Sequence, residues 1–328
     1  MKKIKINLLE GRHYMKKNHL CNFIVFTTLA AISIHGVNKA ISITSSKKKL
    51  LKKDNGRFFK WRYGNLYYSK QGKGSPLLLI HDLNPASSDY EWHKVIRQLS
   101  KHHTVYTLDL LGCGRSHKPN ITYTNFLYVQ LITDFIKNII NTKTDVIAMG
   151  ESSSFTLMAC NMESDCFDKI IIINPSDLSE LHRTPNKIKN LIKYIIDSPI
   201  IGTFIYNLTF CKKSVENIFA KKYIYNSRII SSTAIDYYYE SAHLNNQGKY
   251  LLSSIKTNYT NINVAHALKK IKNNIYLIGS IEIEGMQNII DSYISCNPSI
   301  ESSYISDVKY LPQLENAEKL LQIITDIL

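Results

Sequence analysis

A run of small and polar residues, Gly150-Glu151-Ser152-Ser153-Ser154, joins an apolar segment at 146–149 to a helix-forming segment at 155–159. A strand, then Gly-x-Ser-x-small, then a helix is the pattern of a nucleophile elbow, a sharp turn that presents a serine hydroxyl. The turn needs small residues two positions before and two positions after the serine, and glycine and serine stand there. We therefore predict that Ser152 is a nucleophile. The helix that begins there would direct free N–H groups at a developing oxyanion.

Three further segments stand in a consistent order around this turn. His81-Asp82-Leu83 follows a short apolar run at 76–80. Residues 109–119 have the form Asp-x-x-Gly-x-Gly-x-Ser-x-x-Pro, and residues 310–318 read Tyr-Leu-Pro-Gln-Leu-Glu-Asn-Ala-Glu. Together with the turn, these segments resemble those of the α/β-hydrolase fold family, in the family's order. The resemblance runs through residues 58–328.

The resemblance implies roles for three residues near the turn. Ser152 would be the nucleophile, and the backbone N–H groups of Ser153 and Leu83 would form the oxyanion hole. Asp82 departs from the family, which usually has glycine at that position. A carboxylate beside a forming oxyanion opposes catalysis unless it points away or is paired.

The acid and the base of the triad differ in how well the sequence supplies them. Glu282 occupies the position of the acid after the penultimate strand, with Glu284 as second choice, and an ordinary solvated loop carboxylate is the alternative reading. Tyr310 stands where the family has its histidine, and no histidine follows His266. Tyrosine, with an ordinary pKa of about 10, is a poor base near neutrality. His243, in the inserted helical section, is the substitute base to examine.

Apolar segments alternate with helical patterns from residue 58 onward, which predicts an α/β fold with a mostly parallel, doubly wound sheet. Ser88-x-x-Glu91 predicts a capping box at the start of the first helix. The insertion at about 176–265, rich in Tyr, Ile and Leu, is predicted to form a helical cap of a domain that spans 56–328. Strands are predicted at 58–63, 66–69, 76–80, 104–108, 145–149, 169–173, 275–279 and 303–306.

Residues 1–55 are predicted to form a basic N-terminal arm that precedes this domain. Residues 18–38 contain no Lys, Arg, Asp or Glu and, as a helix, would be about 30 Å long, just enough for a bilayer core. An uncleaved membrane anchor, an amphipathic surface helix and a cleaved signal all remain open readings, with 43–55 as a linker. We expect a membrane-directing helix and a membrane-associated protein, on an undetermined side of the membrane.

The charge of the chain is concentrated in the arm. The formal net charge is +15, and residues 1–60 carry 14 Lys and Arg against Glu10 and Asp54. The remaining residues are nearly balanced, which excludes a basic nucleic-acid-binding face on the main domain. The six cysteines show no CxxC spacing, so the sequence predicts neither a metal site nor a cofactor.

Two functions remain open. The first is a membrane-tethered serine hydrolase that acts on a small, lipophilic ester or related acyl substrate, with an unconventional base. The second is a catalytically inactive protein of the same fold that binds a ligand or a protein partner. The Gly-x-Ser turn favours the first function, whereas Asp82 and Tyr310 favour the second.

Overall fold

The computed structural model describes residues 2–45, 47–51 and 56–328. Eight strands form one sheet in the order β1-β2-β4-β3-β5-β6-β7-β8. β1 and β2 form an antiparallel hairpin, β2 pairs antiparallel with β4, and all other pairs are parallel. The strands are β1 Arg57–Trp61, β2 Gly64–Gln71, β3 Ser75–Ile80, β4 His103–Leu108, β5 Thr144–Met149, β6 Phe167–Ile173, β7 Ile275–Ser280 and β8 Glu301–Ile305.

Helices cover both faces of this sheet, and each face has its own apolar core. The α-helices are α1 Lys2–Ser45, α2 Ile96–Leu99, α3 Asn125–Phe135, α4 Ser152–Met162, α5 Leu178–Leu181, α6 Lys187–Asp197, α7 Ile201–Thr209, α8 Lys212–Ile218, α9 Ser232–His243, α10 Lys249–Lys256, α11 Ala265–Leu268, α12 Met286–Cys296, α13 Pro312–Glu315 and α14 Ala317–Ile327. Short 3₁₀ or π turns lie at Asp89–Trp92, Ile136–Ile140, Ser164–Cys166, Phe219–Tyr223, Ser227–Ile229 and Leu244–Asn246.

The predicted doubly wound, mostly parallel sheet is confirmed. The short apolar runs form the inner strands because residues such as Leu77–Leu79 and Ile170–Ile173 are buried on both faces of the sheet. The polar segments of interest follow the carboxyl ends of β3, β5, β7 and β8, which lie at one edge of the sheet. Helices α5 to α11 lie between β6 and β7 in the sequence, where the cap was predicted.

The prediction of a capping box at Ser88 is wrong in part. Ser88 does cap a 3₁₀ turn, since its Oγ accepts a hydrogen bond from the Tyr90 N–H at 3.4 Å. Glu91, however, turns into the protein and is fully buried, where it accepts a hydrogen bond from the Asp82 N–H. A buried donor was available to Glu91 that sequence spacing does not show.

Residues 18–38 are helical, as predicted, within α1. None of the helices in the described part of the chain is long and apolar enough to cross a bilayer. The predicted spanning anchor is therefore not supported, because Asn22, Thr27, Thr28 and Ser33 interrupt the apolar residues. Instead, α1 packs on α7 and α9.

Two sets of hydrogen bonds fix the arm to the helical section. Buried Asn38 donates to the Ile200 carbonyl oxygen at 3.2 Å and accepts from the Asn207 amide at 2.8 Å. Further along, the backbone N–H groups of Leu50 and Leu51 donate to the Glu240 carboxylate at 3.0 and 3.1 Å. The end of the arm is thus part of the folded domain.

Candidate active site

The turn between β5 and α4 places Gly150 at its apex. Gly150 has a φ of +55°, in the left-handed region that favours glycine, and its N–H donates to the Ile173 carbonyl oxygen at 3.0 Å. A Cβ built on Gly150 would lie 2.0 Å from the Tyr310 hydroxyl oxygen and 2.5 Å from Asp82 Oδ1. The apex therefore faces two of the residues that the sequence singled out.

Ser152 lies two residues beyond the apex, as the first residue of α4. Its side chain is fully buried, and its Oγ donates to the backbone carbonyl oxygen of His81 at 2.5 Å. The Ser152 hydroxyl therefore donates to the backbone carbonyl of the residue that follows β3, and not to a basic side chain.

The two amides predicted for the oxyanion hole belong to Ser153 and Leu83. The Ser153 N–H donates to the Gly150 carbonyl oxygen at 3.1 Å, within the first turn of α4. Leu83 is buried in the apolar core that includes Leu78 and Ile80 of β3. The N–H at the apex that does meet an anion is that of Glu151, which donates to Asp82 Oδ1 at 2.9 Å.

Asp82 is the centre of the site. Its carboxylate lies over Gly150, accepts from the Glu151 N–H and is hydrogen-bonded by the Tyr310 hydroxyl. Burial raises the pKa of Asp82, against the lowering effect of Lys222. Its own backbone N–H donates to Glu91 Oε2 at 3.1 Å, so two acidic residues are joined here.

Fully buried Glu91 and half-buried Glu151 complete an acidic cluster with Asp82. Burial first, and the nearby Asp82 charge second, raise the pKa of Glu91 to about 8 and that of Glu151 to about 7. Glu91 Oε1 also accepts from the Tyr238 hydroxyl at 2.9 Å. At neutral pH this cluster must hold at least one proton, because like charges this close disfavour full ionisation.

Aromatic side chains surround the cluster. Tyr310 stacks on Tyr223 with ring centroids 5.6 Å apart, and the Tyr223 hydroxyl accepts from the Asn84 amide at 3.3 Å. Lys222 lies over the Tyr310 ring at 4.7 Å. Burial, with Asp82 and Glu151 nearby, raises the pKa of Tyr310 far above its usual value, so its hydroxyl acts as a donor and not as a base.

The predicted acid stands apart from this group. Glu282 is half-buried after β7, and its Oε1 accepts from the Asp307 backbone N–H at 3.4 Å. Glu284 is exposed. Each is placed at the correct edge of the sheet, but the contact that Glu282 makes is with a loop backbone.

The candidate bases are held by structural hydrogen bonds. His243 ends α9, and its Nδ1 donates to the Tyr239 carbonyl oxygen at 2.8 Å. It lines a cavity of about 250 Å³ together with α1 residues such as His35, and burial lowers its pKa to about 4. His81 Nε2 accepts from the Leu110 N–H at 3.0 Å, while Nδ1 donates to the Asp82 carbonyl oxygen at 2.7 Å.

Sequence reasoning missed Gly150, Glu91 and Glu151 as members of the site. A signal for Gly150 was present, because the small residues Ala148 and Ser152 flank it two positions away on either side, as the turn requires. For Glu91 the signal was its position next to the apolar residue Trp92. For Glu151 only the backbone conformation, not the sequence, shows where its N–H points.

Comparison with known proteins supports the α/β-hydrolase fold, with a family model that matches part of the chain. The α/β-hydrolase fold model matches residues 76–180. The 2-hydroxy-6-oxo-6-(2'-aminophenyl)hexa-2,4-dienoic acid hydrolase of Metapseudomonas resinovorans is 29% identical over 126 residues, which cover 38% of this chain. Those residues span 43% of that curated relative, less than half of its length.

Two solved structures extend the similarity over most of the chain. The epoxide hydrolase CorEH superposes with a TM-score of 0.70 at 17% identity, covering 83% of this chain and 97% of its own. A membrane phospholipase A, described as a bacterial virulence factor, gives 0.66 at 13% identity, covering 94% and 97%. The matched segment, the strand order and these superpositions identify this chain as a protein of the α/β-hydrolase fold.

Proposed function

We propose that this protein has lost the serine-hydrolase chemistry of its fold and acts by binding a ligand or a protein partner. The observation that carries the proposal is the Asp82 carboxylate, which lies over Gly150 and accepts the Glu151 N–H at 2.9 Å. This is the second function that the sequence left open.

The position of the nucleophile supports the loss. In a nucleophile elbow the reacting side chain sits on the sharp turn between strand and helix. Here the residue on that turn is Gly150, and a Cβ at Gly150 would face Tyr310, the residue aligned with the family's histidine. We infer that Gly150 occupies the nucleophile position, so the positions of the nucleophile and of the base, Gly150 and Tyr310, supply neither a serine hydroxyl nor an imidazole.

The oxyanion hole is also occupied. The N–H of the residue after the nucleophile is one of the two donors that stabilise the oxyanion in this fold. That residue is Glu151 if Gly150 holds the nucleophile position, and its N–H already binds the carboxylate of Asp82. An acyl oxyanion would have to displace this internal anion, against the like charges of the acidic cluster.

A hydrolase is the second candidate, because the relatives and neighbours reported above are hydrolases. In that case Ser152 attacks a lipophilic ester or acyl substrate, with Glu282 as acid and His243 or another residue as base. The Ser152 hydroxyl would first have to break its hydrogen bond to His81.

Labelling of the full chain with a fluorophosphonate probe tests the two candidates. We expect the wild-type protein and Ser152→Ala to show the same background, since neither presents an activated serine. Stoichiometric labelling of the wild type that disappears in Ser152→Ala would contradict the proposal and favour the hydrolase.

A gain-of-function variant sharpens this test. Asp82→Gly, Tyr310→His and Gly150→Ser together would free the oxyanion donor and restore a base and a nucleophile at the apex. We expect this folded triple variant to be labelled at the serine introduced at the apex. The matched control carries only Asp82→Gly and Tyr310→His, and labelling of that control at Ser152 would place the nucleophile there instead.

A further inference from the structure

Helix α6 exposes much of its apolar side-chain surface to solvent, whereas an ordinary surface helix buries it. Its apolar residues Ile188, Leu191 and Tyr194 are exposed by 71%, 60% and 77%. Two of its charged residues face the protein instead: Lys193, whose side chain is 13% exposed, pairs with Asp197 at 2.6 Å. Amphipathic helices normally bury the apolar face, so this exposed face calls for a partner.

The polar side of α6 is held on α10 by specific contacts. Lys189 Nζ donates to the Lys256 carbonyl oxygen at 2.9 Å, and the Ser253 hydroxyl donates to Asp197 Oδ1 at 2.6 Å. These bonds fix the orientation of α6, which cannot bury Ile188, Leu191 and Tyr194 by rotating without breaking the same bonds.

Neighbouring helices extend the apolar surface. α7 packs against both α6 and α1. It exposes Ile201 and Leu208, while α1 exposes an apolar set at one helical spacing. We call these exposed residues of α6, α7 and α1 the apolar face; its α1 members are Val25, Phe26, Leu29 and Ile32.

The positive charge of the N-terminal arm favours an anionic partner for the apolar face. Residues 1–60 carry 14 Lys and Arg against two acidic residues. Lys39 is exposed beside Asn38, which contacts α7, and Lys47 and Lys49 are exposed after the end of α1, on either side of Lys48, which pairs with Asp236. Anionic lipid headgroups complement this charge, at about 1 kcal/mol for each basic residue close to the surface. A second copy of the chain would instead bring a second basic arm against the first.

We propose that the apolar face docks this protein on an anionic lipid surface, with the side chains of α6 inserted at the level of the headgroups and acyl chain ends. The helices lie in the plane of the interface and do not cross it. The inference is independent of whether the site at Gly150 retains catalysis.

Flotation of the full chain with vesicles tests the proposal. Vesicles would be pure phosphatidylcholine or contain about 30% phosphatidylserine, which supplies the negative surface potential. We expect binding to the anionic vesicles that weakens with salt. Ile188→Glu with Leu191→Glu should reduce it by about tenfold or more, because two inserted apolar side chains are lost.

The matched control is Met162→Glu, which also places a charge on an exposed apolar residue, but at the end of α4. It should leave vesicle binding unchanged. A direct reporter is Tyr194→Trp, since the natural tryptophans, Trp61 and Trp92, are both buried. Its emission should shift to shorter wavelength on binding to anionic vesicles.

Three results would overturn the proposal. The first is the absence of binding to anionic vesicles by the wild-type protein. The second is binding that survives Ile188→Glu with Leu191→Glu without any shift at the Tyr194→Trp reporter. The third is a dimer in solution that these two substitutions dissociate, which would show that a second copy covers the apolar face.

Discussion

Two groups of carboxylates lie near the carboxyl ends of neighbouring strands. Their surroundings shift the pKa values of the carboxyl groups in opposite directions. After β4, Asp109 receives the Arg115 guanidinium at 2.8 Å together with the backbone N–H groups of Asp89 and Arg115. Burial is the strongest single influence and would raise the pKa of Asp109, but the charge and hydrogen bonds of Arg115, together with the His81 charge, outweigh it and lower that pKa. After β3, Asp82 meets Glu91, Glu151 and the hydroxyl of Tyr310, and burial raises the pKa of all three acids.

The difference separates a structural ion pair from an acidic cluster that fits the proposed loss of catalysis. A fully paired carboxylate holds its loop in place, as Arg115 and Asp109 do for the Gly-rich loop in which Gly114 leaves room for the carboxylate. A cluster of acids without an arginine must share protons and therefore weakens the fold as it ionises. The acidic cluster at Asp82 therefore lowers the stability of the fold, which apolar residues packed at the same place would not do.

The largest expected effect comes from breaking the paired group. Arg115→Ala should lower the free energy of unfolding by about 3–5 kcal/mol, because it leaves Asp109 and Asp89 without their buried cation. Urea denaturation of the full chain measures this loss. Lys143→Ala, which breaks the exposed pair with Asp168, is the control and should change little. Similar small effects for both variants would remove the distinction between the groups.

A smaller effect is expected from pH. The pKa of Glu91 is raised to about 8 in the folded protein from an ordinary value near 4.5, so the folded state binds more protons between these values. Its contribution to stability is therefore present below about pH 4.5 and is lost progressively as pH rises through 8. Asp109, with a lowered pKa, has the opposite sign and loses stability in acid.

The variant Glu91→Gln isolates the contribution of Glu91 to the pH dependence of stability. The amide oxygen can still accept from the Asp82 N–H, but the side chain no longer titrates. We expect thermal unfolding between pH 5 and pH 8 to depend less on pH in this variant than in the wild type, a loss of the slope that linkage predicts. An unchanged slope would mean that Glu91 is not the titrating group.

The smallest effect is expected at the centre of the acidic cluster. Asp82→Asn keeps an oxygen for the Glu151 N–H and removes a charge from like-charged neighbours. We expect stability at pH 7 to change by less than about 1 kcal/mol, in either direction. A loss as large as that of Arg115→Ala would show that the Asp82 carboxylate is paired as firmly as Asp109.

The strands were predictable from the sequence because a buried parallel strand reads as a short apolar run, as at Leu77–Leu79. The residue on the turn was not. Gly150-x-Ser152-x-Ser154 and Ala148-x-Gly150-x-Ser152 overlap, and chemistry favours the first because it centres on a hydroxyl. Only the φ of Gly150 and the burial of Ser152 show which residue stands at the apex.

The partners of the site were equally out of reach of the sequence. Glu91 lies nine positions from Asp82 and Tyr238 lies 147 positions from Glu91, yet one hydrogen bond joins each pair. Such contacts depend on how the helical section folds back on the sheet. The acid loop at Glu282 was placed at the correct edge, but its bond to the Asp307 backbone depends on loop geometry.

The two amides that Leu50 and Leu51 give to Glu240 have a consequence for where the autonomous folding unit begins. Glu240 is 1% exposed and Leu51 fills a buried position on the same helix surface. Trimming the chain to residue 56, the boundary suggested by composition, would strip a buried carboxylate of both donors. Limited proteolysis should accordingly stop upstream of Leu50, and a shortened protein made for biochemistry should retain that residue.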